Sequence, residues 1–464
     1  MVATKASTTD IERLEEKAQE LLTDQGCPGI SVAVVDGTET VFADGFGKRR
    51  LDPEAPATPD TLYGIGSSTK PVTATAVMTL VDDGEVSLDD AVSSYVPYFE
   101  GAPGEPITVR ELLSHTSGMP SDDVATITLM DAILGDEYDD SLDGWEEFRE
   151  HVDGSLDRRR LDGDRCLYYN SGYVVLSRLV EAVSDAPFAE YVETNLLEPL
   201  GMDRSTFDVN VLTGDANDAM TPYYERDGEM HGVGLPDDPL FEGPGGLQAP
   251  VTDLATFVAA WNERDLPVDD DLASAMVEPV EPFRTLLDGT EVGYGYGWMT
   301  RPFGDDVLVG HGGGTGVSAG YLGFLEDRGL GIALGCNADP DTSPERLAIE
   351  LLAATTGTDP ERVLPKRAVE RKERRVTGEY AAYGGLQEAT VSRTDEFLEI
   401  EHSSPMGVES MRLMPASLDP NDYTFRVAKR SAKRTTVEFF VEDDGVELLV
   451  HRNLYERVGD LDDG

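Results

Sequence analysis

Lysine is almost missing from the middle of this chain: between Lys48 and Lys366 there is only Lys70. Positive charge as a whole is scarce. Across 464 residues, 37 Lys and Arg face 90 Asp and Glu, a formal net charge of −53. Nucleic acid binding needs clustered cations, so nucleic acid is excluded as a partner. The acid is spread along the chain and not gathered in a tail, so a folded form repels itself unless salt screens it. The expectation is a halophilic origin, in a salt-filled cytosol. Cysteine is scarce too. Cys27, Cys166 and Cys336 are far apart and odd in number, with no Cys-x-x-Cys, which excludes a stapling disulfide framework. Each is expected to act as a small buried apolar residue. No apolar run is long enough to span a bilayer, and Met1 to Asp10 has no signal-peptide core. A cytoplasmic protein with no membrane partner is expected. His151, His231, His402 and His451 lack ligand spacing, and the acidic runs Asp139-Asp140 and Asp269-Asp270-Asp271 lack a ligand loop. No metal site and no cofactor are expected.

Hydrophobic residues make up 40% of the chain, enough for a sizeable core in two or three domains. Residues 10–24 carry apolar positions at helical spacing. Gly29 to Val35 and Thr40 to Phe46 read as a hairpin around Asp36-Gly37. Residues 67–82 are small and apolar on most sides and read as a buried helix. Residues 107–290 look mostly helical, with loops rich in Asp and Gly. Val292 to Thr300, Asp306 to Val309, Ala319 to Leu325 and Gly331 to Cys336 then read as consecutive strands, closed by a helix over 343–356. Strands from both ends of this part share one sheet, so the fold class is α+β with a mainly antiparallel sheet flanked by helices plus a helical subdomain. The densely basic segment 366–375 reads as a linker, expected to pair with carboxylates of its own domain. After it, residues 376–464 show short alternating runs with turns such as Asp443-Asp444-Gly445, the pattern of a small all-β barrel. The expected domains are 1–365, the linker 366–375, and 376–464.

The lone lysine stands in Ser67-Ser68-Thr69-Lys70, at the head of the apolar helix. Residues i and i+3 share a helix face. A serine hydroxyl becomes a nucleophile when a base takes its proton, and a desolvated lysine is such a base. Two more segments join this one. Tyr168-Tyr169-Asn170 precedes the apolar helix 174–183. A tyrosine beside a lysine ammonium ionises more readily, and an asparagine offers donor and acceptor to a substrate amide. Gly310-His311-Gly312-Gly313-Gly314 follows a strand. Its glycines let a substrate lie along the edge, with the Gly314 amide facing an oxyanion.

Ser-x-x-Lys, Tyr-x-Asn and His-x-Gly, in this order, resemble the serine β-lactamase and penicillin-binding-protein superfamily in its class C-like branch. Leu112 to Gly118 (LLSHTSG), Gly245-Gly246-Leu247 and Tyr294-Gly295-Tyr296-Gly297-Trp298 resemble connecting segments of that branch. The resemblance covers residues 10–355 and implies Ser67 as nucleophile, with Lys70 and Tyr168 sharing proton transfer. It implies that Asn170, His311 and Gly313 line the substrate, and that the amides of Ser67 and Gly314 form an oxyanion hole. His311 stands where true β-lactamases usually have lysine. Histidine there is common in esterase and D-amino-acid peptidase members, and it weakens recognition of a β-lactam carboxylate. His115 is read as a loop-fixing hydrogen bonder, and Tyr169 and Tyr173 as core aromatics.

Gly378-Glu379-Tyr380, opening the barrel pattern, is similar to the lipocalin-like domain that follows this hydrolase domain in some archaeal self-compartmentalising peptidases. That similarity implies a homo-oligomer built through the barrel. The resulting expectation is a serine hydrolase acting through an acyl-enzyme on small esters or peptide amides, D-residue peptides included. A true β-lactamase and a non-hydrolytic penicillin-binding-type protein are the alternatives.

Overall fold

The computed structural model describes residues 8–461, apart from 25, 136–137, 139–141, 143, 162–164, 214–216, 287–288, 395–396, 405–406, 420, 429–435, 443–444 and 451–452. Asp139-Asp140, Asp443-Asp444 and His451 therefore lie outside the described residues. The chain separates into two compact units, 1–359 and 360–464. Among the described residues no helix is long and apolar enough to cross a membrane.

The first unit is built on a nine-stranded sheet. Its order is Ala55–Pro56, Glu39–Arg50, Gly29–Asp36, Leu330–Cys336, Ala319–Leu325, Asp306–Gly314, Met299–Phe303, Glu291–Tyr294, Glu281–Thr285. The hairpin from the N-terminal part thus joins strands from the end of the unit, with Ile30 opposite Cys336 and Asp36 opposite Leu330. This is the α+β arrangement with an antiparallel sheet that the sequence pattern predicts. Every residue of Leu330–Cys336 is buried, because the helices Val251–Glu263 and Pro344–Thr356 both pack on it. The helix Pro344–Thr356 also meets Thr8–Asp24, and Lys17 of the latter reaches the buried Glu350 at 3.0 Å. Cys27 and Cys336, distant in sequence, are brought together. A hydrogen bond with Cys27, reinforced by burial, holds the Cys336 thiol well above its usual range.

Two expectations need correction. Val292 to Thr300 is not one strand. It is the hairpin Glu291–Tyr294 and Met299–Phe303, with Tyr294 opposite Met299. The chain turns back at Gly297 (φ +81°), where a Cβ would lie 2.7 Å from the Ala74 side chain, and Trp298 then packs with Trp261 and Phe257. Segment 366–375 is not an open linker. It forms most of the helix Pro365–Val376, within the second unit, and buries Ala368, Lys372 and Val376 along one stripe. Its charges are paired within the same unit, Arg371 with Glu361 and Glu373 with Arg393.

The second unit's eight strands close into an antiparallel barrel, first strand Gly378–Ala382 against last strand Asn453–Gly459. Val391, Ile400, Leu413, Phe425, Leu448 and Tyr455 belong to its core. The Lys372 Nζ donates to the carbonyls of Ser417, Asp419 and Asp422 at 2.6, 3.0 and 2.9 Å. Three N–H groups thus meet three carbonyls and tie the helix to the loop between two barrel strands. Lys372→Met keeps the apolar stem and strips the carbonyls of their donor. It should destabilise this unit by at least about 2 kcal/mol, measured by denaturant unfolding of the full chain.

Candidate active site

Ser67 lies in a 3₁₀ turn, Gly66–Thr69, that runs into the helix Lys70–Asp82. In a 3₁₀ turn residues i and i+3 eclipse, which stacks the Ser67 and Lys70 side chains. Pro71 fits because first-turn amides have no helical partner. The helix is buried from Lys70 through Leu80: Val72, Ala74, Ala76, Val77 and Met78 are apolar, and the Thr73, Thr75 and Thr79 hydroxyls all donate to carbonyls. That placement takes Lys70 wholly out of water while Ser67 keeps partial exposure.

The buried Nζ of Lys70 has three oxygen neighbours. Ser67 Oγ is at 3.1 Å, Asn170 Oδ1 at 2.8 Å and the Pro244 carbonyl at 2.8 Å. Burial drives its pKa well below the ordinary lysine value. A neutral amine has two N–H donors and one lone pair. The two pure acceptors, Asn170 Oδ1 and Pro244 O, take the donors, and the lone pair is left facing the Ser67 hydroxyl.

Asn170 opens the helix Asn170–Ser184. Its Oδ1 is taken by Lys70, so its NH₂ group is what it offers a substrate. Tyr168, partly exposed, sits with its ring centroid 4.8 Å from Lys70 Nζ. Burial raises its pKa, partly offset by a hydrogen bond with Ser67. The expectation that it ionises readily beside Lys70 is thus not met; it rests as a neutral phenol. Its position is set by His115, whose backbone is left-handed (φ +58°). The His115 carbonyl accepts from Leu167 N at 2.8 Å and its Nδ1 accepts from Tyr169 N at 3.2 Å. The His115 ring packs on Tyr168 at 4.3 Å.

The strand Asp306–Gly314 carries the third motif and runs through it without a break. His311 is buried, its Nδ1 donating to the Gly312 carbonyl at 2.8 Å and its Nε2 accepting from the Tyr294 hydroxyl at 3.1 Å. Burial first, and Lys70 second, bring its pKa down to about 3. It stays neutral through the range where free histidine titrates, and both ring nitrogens are occupied within the protein. A substrate carboxylate meets no cation at this position. At Gly313 a Cβ would stand 2.0 Å from the Ile65 carbonyl and 2.5 Å from the amide nitrogens of Ser67 and Ser68. Glycine is required there for the strand to press on the Ser67 turn. The Ser68 hydroxyl fastens the contact by donating to the His311 carbonyl at 3.0 Å. The Gly314 amide nitrogen lies 2.9 Å from where a Gly66 Cβ would be, beside the Ser67 turn. All seven residues singled out in the sequence therefore converge on this one region.

Residues 14–356 match the family model described as beta-lactamase. The chain belongs to the beta-lactamase family. Residues 360–456 match a second model, described as the Pab87 octamerisation domain. This family member is 31% identical to the octameric penicillin-binding protein homologue from Pyrococcus abyssi, with a TM-score of 0.85 over 97% of this chain and 100% of that one. It is 24% identical to penicillin-binding protein 4* of Bacillus subtilis over 411 residues, 83% of this chain and 86% of that protein. A D-stereospecific amidohydrolase from Streptomyces shares the fold, at 24% identity and TM-score 0.61, over 75% of this chain and 99% of that one.

Within this beta-lactamase-family site, sequence reading missed Pro244, Tyr294 and Ser68. Pro244 acts through a backbone carbonyl, which leaves no residue-type signal. Tyr294 was visible only as part of a strand. Burial pushes the Cys166 thiol up to about 12, away from the thiolate form. A cavity of about 580 Å³ beside the edge strands, lined by Val277, Pro279, Gly293 and Thr300, holds none of the motif residues. Pro244 belongs to the short helix Pro239–Gly245, which also carries Glu242. Burial, then Glu181, Asp238, Glu193 and Asp237, raise the Glu242 carboxyl to about 7. A raised folded pKa means that the fold favours the protonated acid. That contribution is full below the usual glutamate value, about 4.3, and is lost as pH rises through the folded value. Thermal melts across that window should therefore show a steeper fall for the wild type than for Glu242→Gln, and parallel curves would contradict the assignment.

Proposed function

We propose that this protein is a serine hydrolase that works through an acyl-enzyme on small esters or amides, peptides with a D-residue included. The observation that carries the reading is the buried Lys70 amine, 3.1 Å from the partly exposed Ser67 hydroxyl, with its other two contacts satisfied by pure acceptors. Lys70 takes the Ser67 proton as Oγ attacks the substrate carbonyl. The amides of Ser67 and Gly314 hold the developing oxyanion. The neutral Tyr168 phenol gives its proton to the leaving group and recovers one from the Lys70 ammonium, so the pair returns to its starting charge. Water then attacks the ester on Ser67 by the same route in reverse. Asn170 and the strand edge at Gly313 and Gly314 align the substrate.

The neutral, fully bonded His311 favours this reading over a true β-lactamase, because a β-lactam carboxylate finds no cation at that position. The preserved amine geometry favours it over a non-hydrolytic binder. Ser67→Ala should abolish labelling by a fluorophosphonate and lower ester turnover by at least about a thousandfold. Ser68→Ala should keep labelling and lose about 1 kcal/mol of stability, because it removes only the bond to the His311 carbonyl. Labelling that survives Ser67→Ala would remove Ser67 from the reading.

The barrel unit supports a homo-oligomer. Its match to an octamerisation domain and the octameric homologue point the same way. The barrel also exposes Tyr383, Leu386, Val408, Leu454 and Val458, each between 47% and 68% accessible. Light scattering should show the full chain as an assembly and a chain ending at Asp359 as a smaller species. A monomeric full chain would overturn the proposal.

A further inference from the structure

The proposed chemistry uses Ser67, Lys70 and Tyr168, yet one further side chain packs near the Tyr168 ring and has no role in it. Phe283 belongs to Glu281–Thr285, the edge strand of the sheet. Pairing with the neighbouring strand is regular at Glu281 with Tyr294 and Pro282 with Gly293. It then skips one residue, so that Arg284 faces Val292 and Phe283 has no partner. This is a β-bulge, a device that turns one side chain away from the normal alternation and that recurs beside active sites. Here the bulge turns the Phe283 ring to 6.0 Å from Tyr168 and 5.8 Å from Tyr294, centroid to centroid.

The ring is held on both sides. Tyr294, wholly buried, meets it edge-on from within, and the Arg284 guanidinium lies 5.8 Å from its centroid. Arg284 is itself fixed by an ion pair with Glu345 at the start of the helix Pro344–Thr356. Yet the ring is only half-buried, as are Ser67, Tyr168 and Asn170, whereas Lys70, His311, Tyr294 and Tyr173 are closed off from solvent. Phe283 is thus a half-buried aromatic ring against Tyr168, whose side chain in turn hydrogen-bonds Ser67. Small-molecule sites are built from apolar walls around a few polar groups, and the motif residues supply only the polar groups.

We propose that Phe283 is a specificity-determining residue, an apolar wall that selects esters or amides with an apolar or aromatic group beside the scissile bond. The inference rests on the serine-hydrolase reading above. It implies that small acetyl esters of short alcohols are poor substrates, and that a branched or phenyl-bearing group on one side of the carbonyl improves them.

The test uses the full chain and two ester series. One varies the acyl group from acetyl to isovaleryl to phenylacetyl over a methyl alcohol. The other varies the alcohol from methyl to isoamyl to benzyl over an acetyl group. The wild type should show at least a tenfold rise in kcat/KM along one series, a size ordinary for hydrophobic pockets. Phe283→Ala should reduce that rise by about tenfold, and Phe283→Leu should keep the branched preference while losing the phenyl one. Phe283→Leu retains apolar volume, so it carries the test if the alanine variant fails to fold. Turnover with no rise along either series, or a rise that both variants keep, overturns the inference and leaves the hydrolase reading standing. No turnover of any ester, together with no fluorophosphonate labelling of the wild type, overturns both.

Discussion

A lysine amine removed from water must be met by oxygens or give up its charge, and Lys70 does both. Its three neighbours come from residues 67, 170 and 244, so three distant parts of the chain have to converge within hydrogen-bond reach of one nitrogen. Much of the local structure serves that convergence. The helix behind Lys70 is made of small and apolar residues and of threonines whose hydroxyls donate to carbonyls, so it can be buried from Lys70 to Leu80. The helix Asn170–Ser184 begins at the residue that binds the amine. The helix Pro239–Gly245 presents a backbone carbonyl to it, and Gly243 of the same helix accepts from Thr73 Oγ1 at 2.8 Å.

Around this nitrogen the walls are aromatic. Tyr168 and Tyr173 have ring centroids 4.8 and 5.3 Å from it, and His115 packs against Tyr173 and Tyr294. These rings exclude water, which is why the local pKa shifts share one cause. Burial lowers Lys70, His115 and His311 and raises Tyr168, Tyr173 and Tyr294, in each case toward the neutral form. A site kept neutral at rest, within a chain of formal charge −53, makes any charge that develops in a reaction felt strongly by nearby dipoles. Lys70 and Lys372 are both buried within the fold.

Lys372 shows the same rule in the other unit with the opposite outcome. Its ammonium meets three carbonyls, all acceptors, so nothing invites it to act as a base. Lys70 meets two acceptors and one hydroxyl. The surroundings of the two lysines differ in the identity of one neighbouring atom, and the proposed role of Lys70 rests on that difference. The basic segment 366–375 shows why pattern reading failed: its charge density hides an apolar stripe at Ala368 and Val376 with Lys372 between them.

The chain's order of motifs was enough to reach the α+β fold, the barrel and the seven residues that meet at the site, because those depend on residue type, spacing and alternation. Local patterns also placed the hairpin at Asp36-Gly37 and the apolar helix after Ser67. What spacing cannot express is distance between remote segments. The Pro244 carbonyl, the Tyr294 hydroxyl on His311, the Ser68 clamp and the bulge that turns Phe283 toward Tyr168 are all products of packing. So is the protonation of the site. Residue types suggested a tyrosine that ionises readily beside a lysine, but burial depth sets that equilibrium, and only the tertiary structure decides how deeply each group is buried.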